Sequence, residues 1–226
     1  MNAIRTARER ARAELTHEIK QEARRQLSEA GSAQLSLRSV ARALGMASSA
    51  IYRYFPSRDE LLTALILDAY DALGEAAEGA DLPQAAPRER WALVCGAVRE
   101  WAVAHPHEYA LLYGTPVPGY RAPVETVAAG TRVLRRCGEI LLAGRPLDPG
   151  LPAPLEEELD EQMRGVAEAA DLGLTPEELT RLLLVWSQLF GLVTFEVFGQ
   201  FNGSADPAGP LFRHAVARMA DFAGLR

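Results

Sequence analysis

The chain has 226 residues, 48% of them apolar and 24% charged, with a formal net charge of −6. This length exceeds a usual single core and the apolar share fills a substantial interior, which excludes a disordered class, while the overall acidity argues against a protein that coats nucleic acid regardless of sequence. Residues 1–60 nevertheless carry +4 and residues 61–226 carry −10, so a basic head, with an electrostatic footprint suited to phosphate, precedes an acidic body.

In chain order, apolar residues recur at helical spacing between Gly and Pro punctuation, and no alternation is long enough to build a sheet. An all-α fold of about nine to ten helices follows. A first helix is predicted over residues 13–30, with Leu15, Ile19, Ala23 and Leu27 as its inward stripe and Gly31 as its end. Ser36 then caps a short helix carrying Val40, Ala41 and Leu44, and Gly45 supplies a left-handed stop. Ile51 and Phe55 lie four apart on the next short helix, which leaves Ser48, Ser49, Tyr52 and Arg53 to face outward. Small, hydroxyl and arginine side chains on one such face suit a major groove.

Ser57 and Glu60 form a capping box that opens a helix through Leu61, Leu62, Leu65, Ile66, Ala69 and Leu73 to Gly79. After Pro83 and Pro87, helices are predicted over residues 88–104, 108–113 and 124–142, with breaks at His105-Pro106 and over residues 114–123. Residues 144–154 read as a flexible proline-rich connector, followed by a polar helix over 155–171. Thr175-Pro176-Glu177-Glu178 carries the cap, first-turn proline and acidic residue that open a long helix to Gly199, and a last helix spans residues 208–223.

The segment Ser36, Val40-Ala41, Leu44-Gly45-Met46-Ala47, Ile51-Tyr52-Arg53-Tyr54-Phe55 and Ser57-Arg58-Asp59-Glu60-Leu61 resembles the DNA-binding domain of the tetracycline-repressor (TetR) family of bacterial transcription regulators, without a gap. Two departures are Ala47, where the family has a Ser cap, and Arg58, where it has Lys. Trp101, His105-Pro106, Tyr109, Leu112-Tyr113-Gly114, Pro116 and Pro118 resemble the Trp/His/Gly-marked C-terminal domain of one branch of the family. The resemblance implies a three-helix helix-turn-helix domain over residues 1–56 and a helical effector-binding and dimerisation domain over 57–226. It implies a ligand-responsive regulator, expected to be a repressor, that binds a pseudo-palindromic operator as a homodimer and is released when an effector shifts the Ser57 helix.

On this reading Ser48, Ser49 and Ala50 approach base edges, whereas Ser36, Arg38, Tyr52, Tyr54 and Arg58 meet phosphates. Arg53 joins the phosphate set or reads guanine. Arg5, Arg8, Arg10 and Arg12 form an N-terminal basic arm or a solvated terminus. Trp91, Val98, Trp101, Tyr109, Tyr113 and Trp186 are candidate linings of a partly apolar effector pocket, with packing in the core as the alternative for each. Leu183, Phe190, Val193, Val197 and Phe201 recur at three- and four-residue steps and are the expected dimer seam of a four-helix bundle.

Cys95 and Cys137 lack metal or redox spacing and are expected to be buried thiols, although control by a protein partner or by their oxidation is a second reading. An all-α enzyme is a third. The sequence carries no phosphate-cradling glycine loop or Gly-x-Ser-x-Gly elbow, and His105 and His107, two apart, point to different faces. No cofactor or metal is expected. The acidic run from Glu156 to Glu161 reads as a solvated face, and without an apolar run of roughly 18 residues or a signal peptide the chain is expected in the cytoplasm.

Overall fold

A computed structural model describes residues 2–144 and 154–225. The connector expected over residues 144–154 lies almost wholly outside these. Among the described residues there are ten α-helices, two 3-10 turns and no strand. The helices are α1 (Asn2–Ala30), α2 (Leu37–Ala43), α3 (Arg58–Ala80), α4 (Pro87–Ala104), α5 (Pro106–Tyr113), α6 (Thr126–Gly130), α7 (Arg132–Ala143), α8 (Glu157–Ala170), α9 (Pro176–Val197) and α10 (Gly209–Ala223). The 3-10 turns are Ser32–Gln34 and Ile51–Arg53.

Three elements differ from their predicted form. Helix α1 begins at Asn2 instead of Ala13, because its first three turns need no core to be helical in an Ala- and Arg-rich stretch. The helix predicted over 124–142 breaks at Thr131, whose hydroxyl donates to the Ala128 carbonyl at 3.2 Å, and Gly130 lies so near the Tyr70 ring that a Cβ would stand 3.3 Å from it. The helix expected after Gly45 is a run of three-residue turns, with Ala50, Arg53 and Tyr54 amides donating to the carbonyls of Ala47, Ala50 and Ile51. Without a Ser at position 47, that segment has no side-chain cap hydrogen bond.

The chain divides into two units, residues 1–69 with 107–127, and residues 70–106 with 128–226. In the first, Ile19, Ala23 and Leu27 of α1 pack with Leu37, Val40 and Ala41 of α2, with Ile51 and Phe55, and with Leu61, Leu62 and Leu65 of α3. Burying one such aliphatic side chain contributes about 1.5–3 kcal/mol. Residues 107–127 complete this unit: Glu108 pairs with Arg24 at 3.0 Å, and the Thr63 and Tyr120 hydroxyls lie 3.0 Å apart.

The second unit is built around α4, which packs on α7, α9 and α10, while α9 also meets α7, α8 and α10. Its core includes Val94, Val133, Ile140, Leu179, Leu182, Val185, Leu189 and Met219. The predicted cap of α9 is complete: Thr175 Oγ1 accepts from the Glu178 amide at 3.3 Å, and Glu178 accepts from the Thr175 amide at 2.8 Å. At the end of α4, both the His105 amide and its Nδ1 lie 2.9 Å from the Trp101 carbonyl, a ring donation that requires the Nδ1–H tautomer.

Candidate nucleic-acid interface

The site begins with a capped helix and a reversed chain. Ser36 Oγ accepts the Ser39 amide at 3.1 Å, which starts α2. At its other end Gly45 adopts φ +66°, its amide donating to Arg42 and that of Met46 to Ala41. This paired return closes the last carbonyls of the helix and fixes the angle at which the chain leaves it. Ile51 is fully buried and Phe55 nearly so, and these two anchors hold the following segment against the unit's core.

Their burial turns the remaining side chains outward. Ser48, Ser49 and Arg53 are exposed, Tyr52 is 43% exposed, and Ala50 and Tyr54 are half-buried. Arg38 is exposed on α2, as is Arg42, one turn further on. Sequence reasoning passed over Arg42, although its position four residues after Arg38 was the available signal.

Two of the predicted phosphate residues also have work inside the protein. The Ser36 hydroxyl serves as the cap of α2. Arg58 donates from Nε to the Leu35 carbonyl at 3.0 Å and from Nη2 to the Ser32 carbonyl at 2.7 Å, tying the first turn of α3 to the segment before α2. Ser57 Oγ accepts the Glu60 amide at 3.1 Å, as its capping role requires.

A helix, a glycine reversal and an anchored outward face are thus assembled within one unit. Residues 19–65 match the family described as bacterial regulatory proteins, tetR family, and residues 91–219 match the tetracyclin repressor-like C-terminal domain. The chain belongs to the TetR family of transcriptional regulators. It is a DNA-binding regulator and not an enzyme.

The TetR-family chain is 38% identical over 203 residues to the HTH-type transcriptional regulator Mb1846 of Mycobacterium bovis, covering 85% of this chain and 84% of that one. It is 32% identical to the crystal structure of regulatory protein SCO4313, with a TM-score of 0.79, covering 94% of this chain and 98% of that one. The same fold recurs, at 18% identity and a TM-score of 0.56 over 92% of this chain and 97% of the other, in a structure of BioQ with its double-stranded DNA operator.

The predicted effector residues of this TetR-family chain fall in both units. Trp91, Val98, Trp101 and Trp186 belong to one, and Tyr109 and Tyr113 to the other. Val98 and Tyr109 are fully buried; Trp101 is nearly so and stacks on His105 with ring centroids 5.1 Å apart. Trp91, also buried, donates its indole N–H to the Val216 carbonyl at 3.2 Å. It lines a groove of about 600 Å³ with Leu93, Ala97, Arg99, Phe212 and Arg213, which the other five do not reach. The Trp186 Nε1 is buried with no hydrogen-bond partner among the described residues.

The residues expected at the dimer seam differ in their exposure within this chain. Phe190 and Val193 are buried in their own unit, and Leu183, Val197 and Phe201 are half-buried. The outward apolar residues are Leu184, Phe195 and Phe198 near or on α9, and Leu211 and Phe222 on α10. Because α9 is apolar around most of its circumference, a three-four stripe drawn from sequence selects the inner face as readily as the outer one. Helix α9 is also long and apolar enough to cross a membrane, which the count of apolar runs did not anticipate. Its packing against four helices and its buried Arg181 give it the role of a core helix.

Proposed function

We propose that this regulator is a homodimeric, ligand-responsive repressor that binds a pseudo-palindromic operator and is released by a partly apolar small molecule. The observation that carries the reading is the anchored turn: buried Ile51 and Phe55 leave Ser48, Ser49, Tyr52 and Arg53 on one accessible face. Ser48, Ser49 and Ala50 are assigned to base edges, and Arg38, Tyr52, Arg53 and Tyr54 to phosphate, with Ser36 and Arg58 contributing where their protein bonds allow. DNA binding is assigned to residues 1–56, and effector binding and dimerisation to 57–226.

Dimerisation is supported by five exposed large apolar side chains, Leu184, Phe195, Phe198, Leu211 and Phe222, at the C-terminal end of the chain. Two helix-turn-helix units about 34–36 Å apart would read successive major-groove faces of an inverted repeat. The effector is assigned to the second lobe, where Trp91, Leu93 and Phe212 wall an apolar groove that Arg99 and Arg213 border with charge. It acts only if it binds the DNA-free arrangement more tightly. Control by thiol oxidation finds less support: Cys95 and Cys137 are fully buried, and loss of solvation pushes the Cys137 thiol up to about 12 and Cys95 well above its ordinary value. Function in the cytoplasm follows from the proposed role on DNA.

Selection of genomic fragments by the purified protein at near-physiological salt tests this reading. An enriched inverted repeat is the expected result, and retention of fragments with no shared sequence would reject it.

A further inference from the structure

Helix α1 extends well beyond the part that the core needs. Its first fully buried residue is Ile19, and residues 7–14 are all exposed. Arg12, on this exposed part, nevertheless reaches a residue 41 positions away, donating from Nη2 to the Arg53 carbonyl at 3.1 Å. The same guanidinium stands over the Tyr54 ring, 5.6 Å from its centroid, within the range of a cation–π contact.

The chain itself explains why that carbonyl takes an outside donor. Arg53 ends the 3-10 turn Ile51–Arg53, where the next bond of the series would come from the amide three residues on. That residue is Pro56, which has no N–H. The carbonyl is thus left at the negative end of the turn, and a cation that donates to it satisfies both its hydrogen bonding and its partial charge.

We infer that Arg12 is a positioning residue for operator recognition, pinning the Tyr52–Arg53–Tyr54 segment to α1 and so fixing the direction in which Ser48, Ser49 and Tyr52 are presented. This rests on the DNA-reading role proposed above and assigns to Arg12 a purpose other than that of a free basic arm. With its Nη2 bound to the Arg53 carbonyl and its face over the Tyr54 ring, Arg12 contributes to discrimination between sequences and not to the count of phosphates neutralised.

The test compares wild type, Arg12→Ala and Arg12→Lys. The site is exposed and alanine favours helix, so the variants should fold. On the operator recovered by selection, Arg12→Ala should bind about fivefold more weakly, while binding to non-operator DNA and the slope of log affinity against log salt stay unchanged. Lysine should restore part of the loss, because it donates one bond and sits over the ring but lacks the planar fork. A slope reduced by about 0.9, with equal loss on all sequences, would show a direct phosphate contact and overturn the inference.

Amide exchange in the DNA-free proteins provides an arm independent of any operator. The Tyr54 and Phe55 amides, both bonded to the Ile51 carbonyl, should exchange several-fold faster in Arg12→Ala and recover in Arg12→Lys. Unchanged exchange would overturn the inference even if an operator is found. A wild type that selects no operator would remove the proposed function while the exchange result still decides the role of Arg12 within the fold.

Discussion

The recognition end of the first unit and the helices of the second use arginine in opposite ways. At the recognition end of the first, Arg38, Arg42 and Arg53 are exposed with no carboxylate against them among the described ion pairs. In the second, arginines are consumed as clamps: Arg90 on Asp81, Arg99 on Glu196, Arg132 on Asp71 and Glu78, and Arg136 on Asp81 and Glu139. The same residue type therefore leaves positive charge available to phosphate in one region and cross-links helices in the other. Net charge alone would not have told the two uses apart.

The largest expected effect comes from breaking a clamp. The Asp81 side chain is 2% exposed and accepts Arg90 through both oxygens at 2.7 and 2.8 Å, with Arg136 at 3.3 Å. Asp81→Asn leaves two guanidinium groups facing an uncharged amide, and should cost about 3 kcal/mol in denaturant unfolding. The hydrogen bonds from Arg90, aided by its charge and that of Arg136, hold the Asp81 carboxyl below its ordinary value against the opposing cost of burial. A carboxyl depressed in the folded state stabilises above its unfolded value and loses that contribution as pH falls through the folded one. Wild-type stability should therefore fall below about pH 4, and the Asn variant should show a shallower acid limb. Equal acid limbs would remove Asp81 from the clamp.

A second break concerns α9, whose two apolar faces differ in exposure. Phe195→Glu places a charge on the exposed apolar face and should raise the dimer dissociation constant at least tenfold in sedimentation, whereas Val193→Ala should destabilise the fold by about 1–2 kcal/mol with less effect on assembly. A Phe195→Glu protein that remains dimeric at the same concentration would move the interface elsewhere.

These elements mark what was legible in the chain. Ser36, Gly45, Thr175 and Glu178 act through partners within five residues, so their caps and reversals could be read from spacing and were found as expected. Ile51 and Phe55 were legible as anchors because one short segment carries both its apolar and its polar face. The inward and outward sides of α9 were not, since both are apolar and only the packed neighbours distinguish them. Nor were the carbonyl bonds of Arg12 and Arg58, which join residues 23 to 41 positions apart through long flexible side chains. Such partners are set by tertiary packing and leave no periodic trace. The 3-10 form of residues 51–53 falls between these cases: the missing cap at Ala47 was visible, while its consequence for helix type depended on the core around Ile51.

The exposed arginines of the first unit lead to a subtler pair of substitutions. Arg53 has its carbonyl bound by Arg12 but its side chain in solvent, so Arg53→Ala should leave stability near wild type. If the side chain meets phosphate, affinity should fall on every DNA sequence and the salt slope should shrink by about 0.9; if it reads guanine, the loss should concentrate on one operator position at about 1–3 kcal/mol. Ser48→Ala and Ser49→Ala should each cost less, about 1 kcal/mol on the selected operator, with little change in salt slope, because a hydroxyl at a base edge releases no counterion. Repeating the selection with each serine variant separates base reading from simple proximity: a changed preference at one position of each half-site is expected. An unaltered preference in both would shift base readout from this turn towards Arg38 and Arg42, which are exposed on α2.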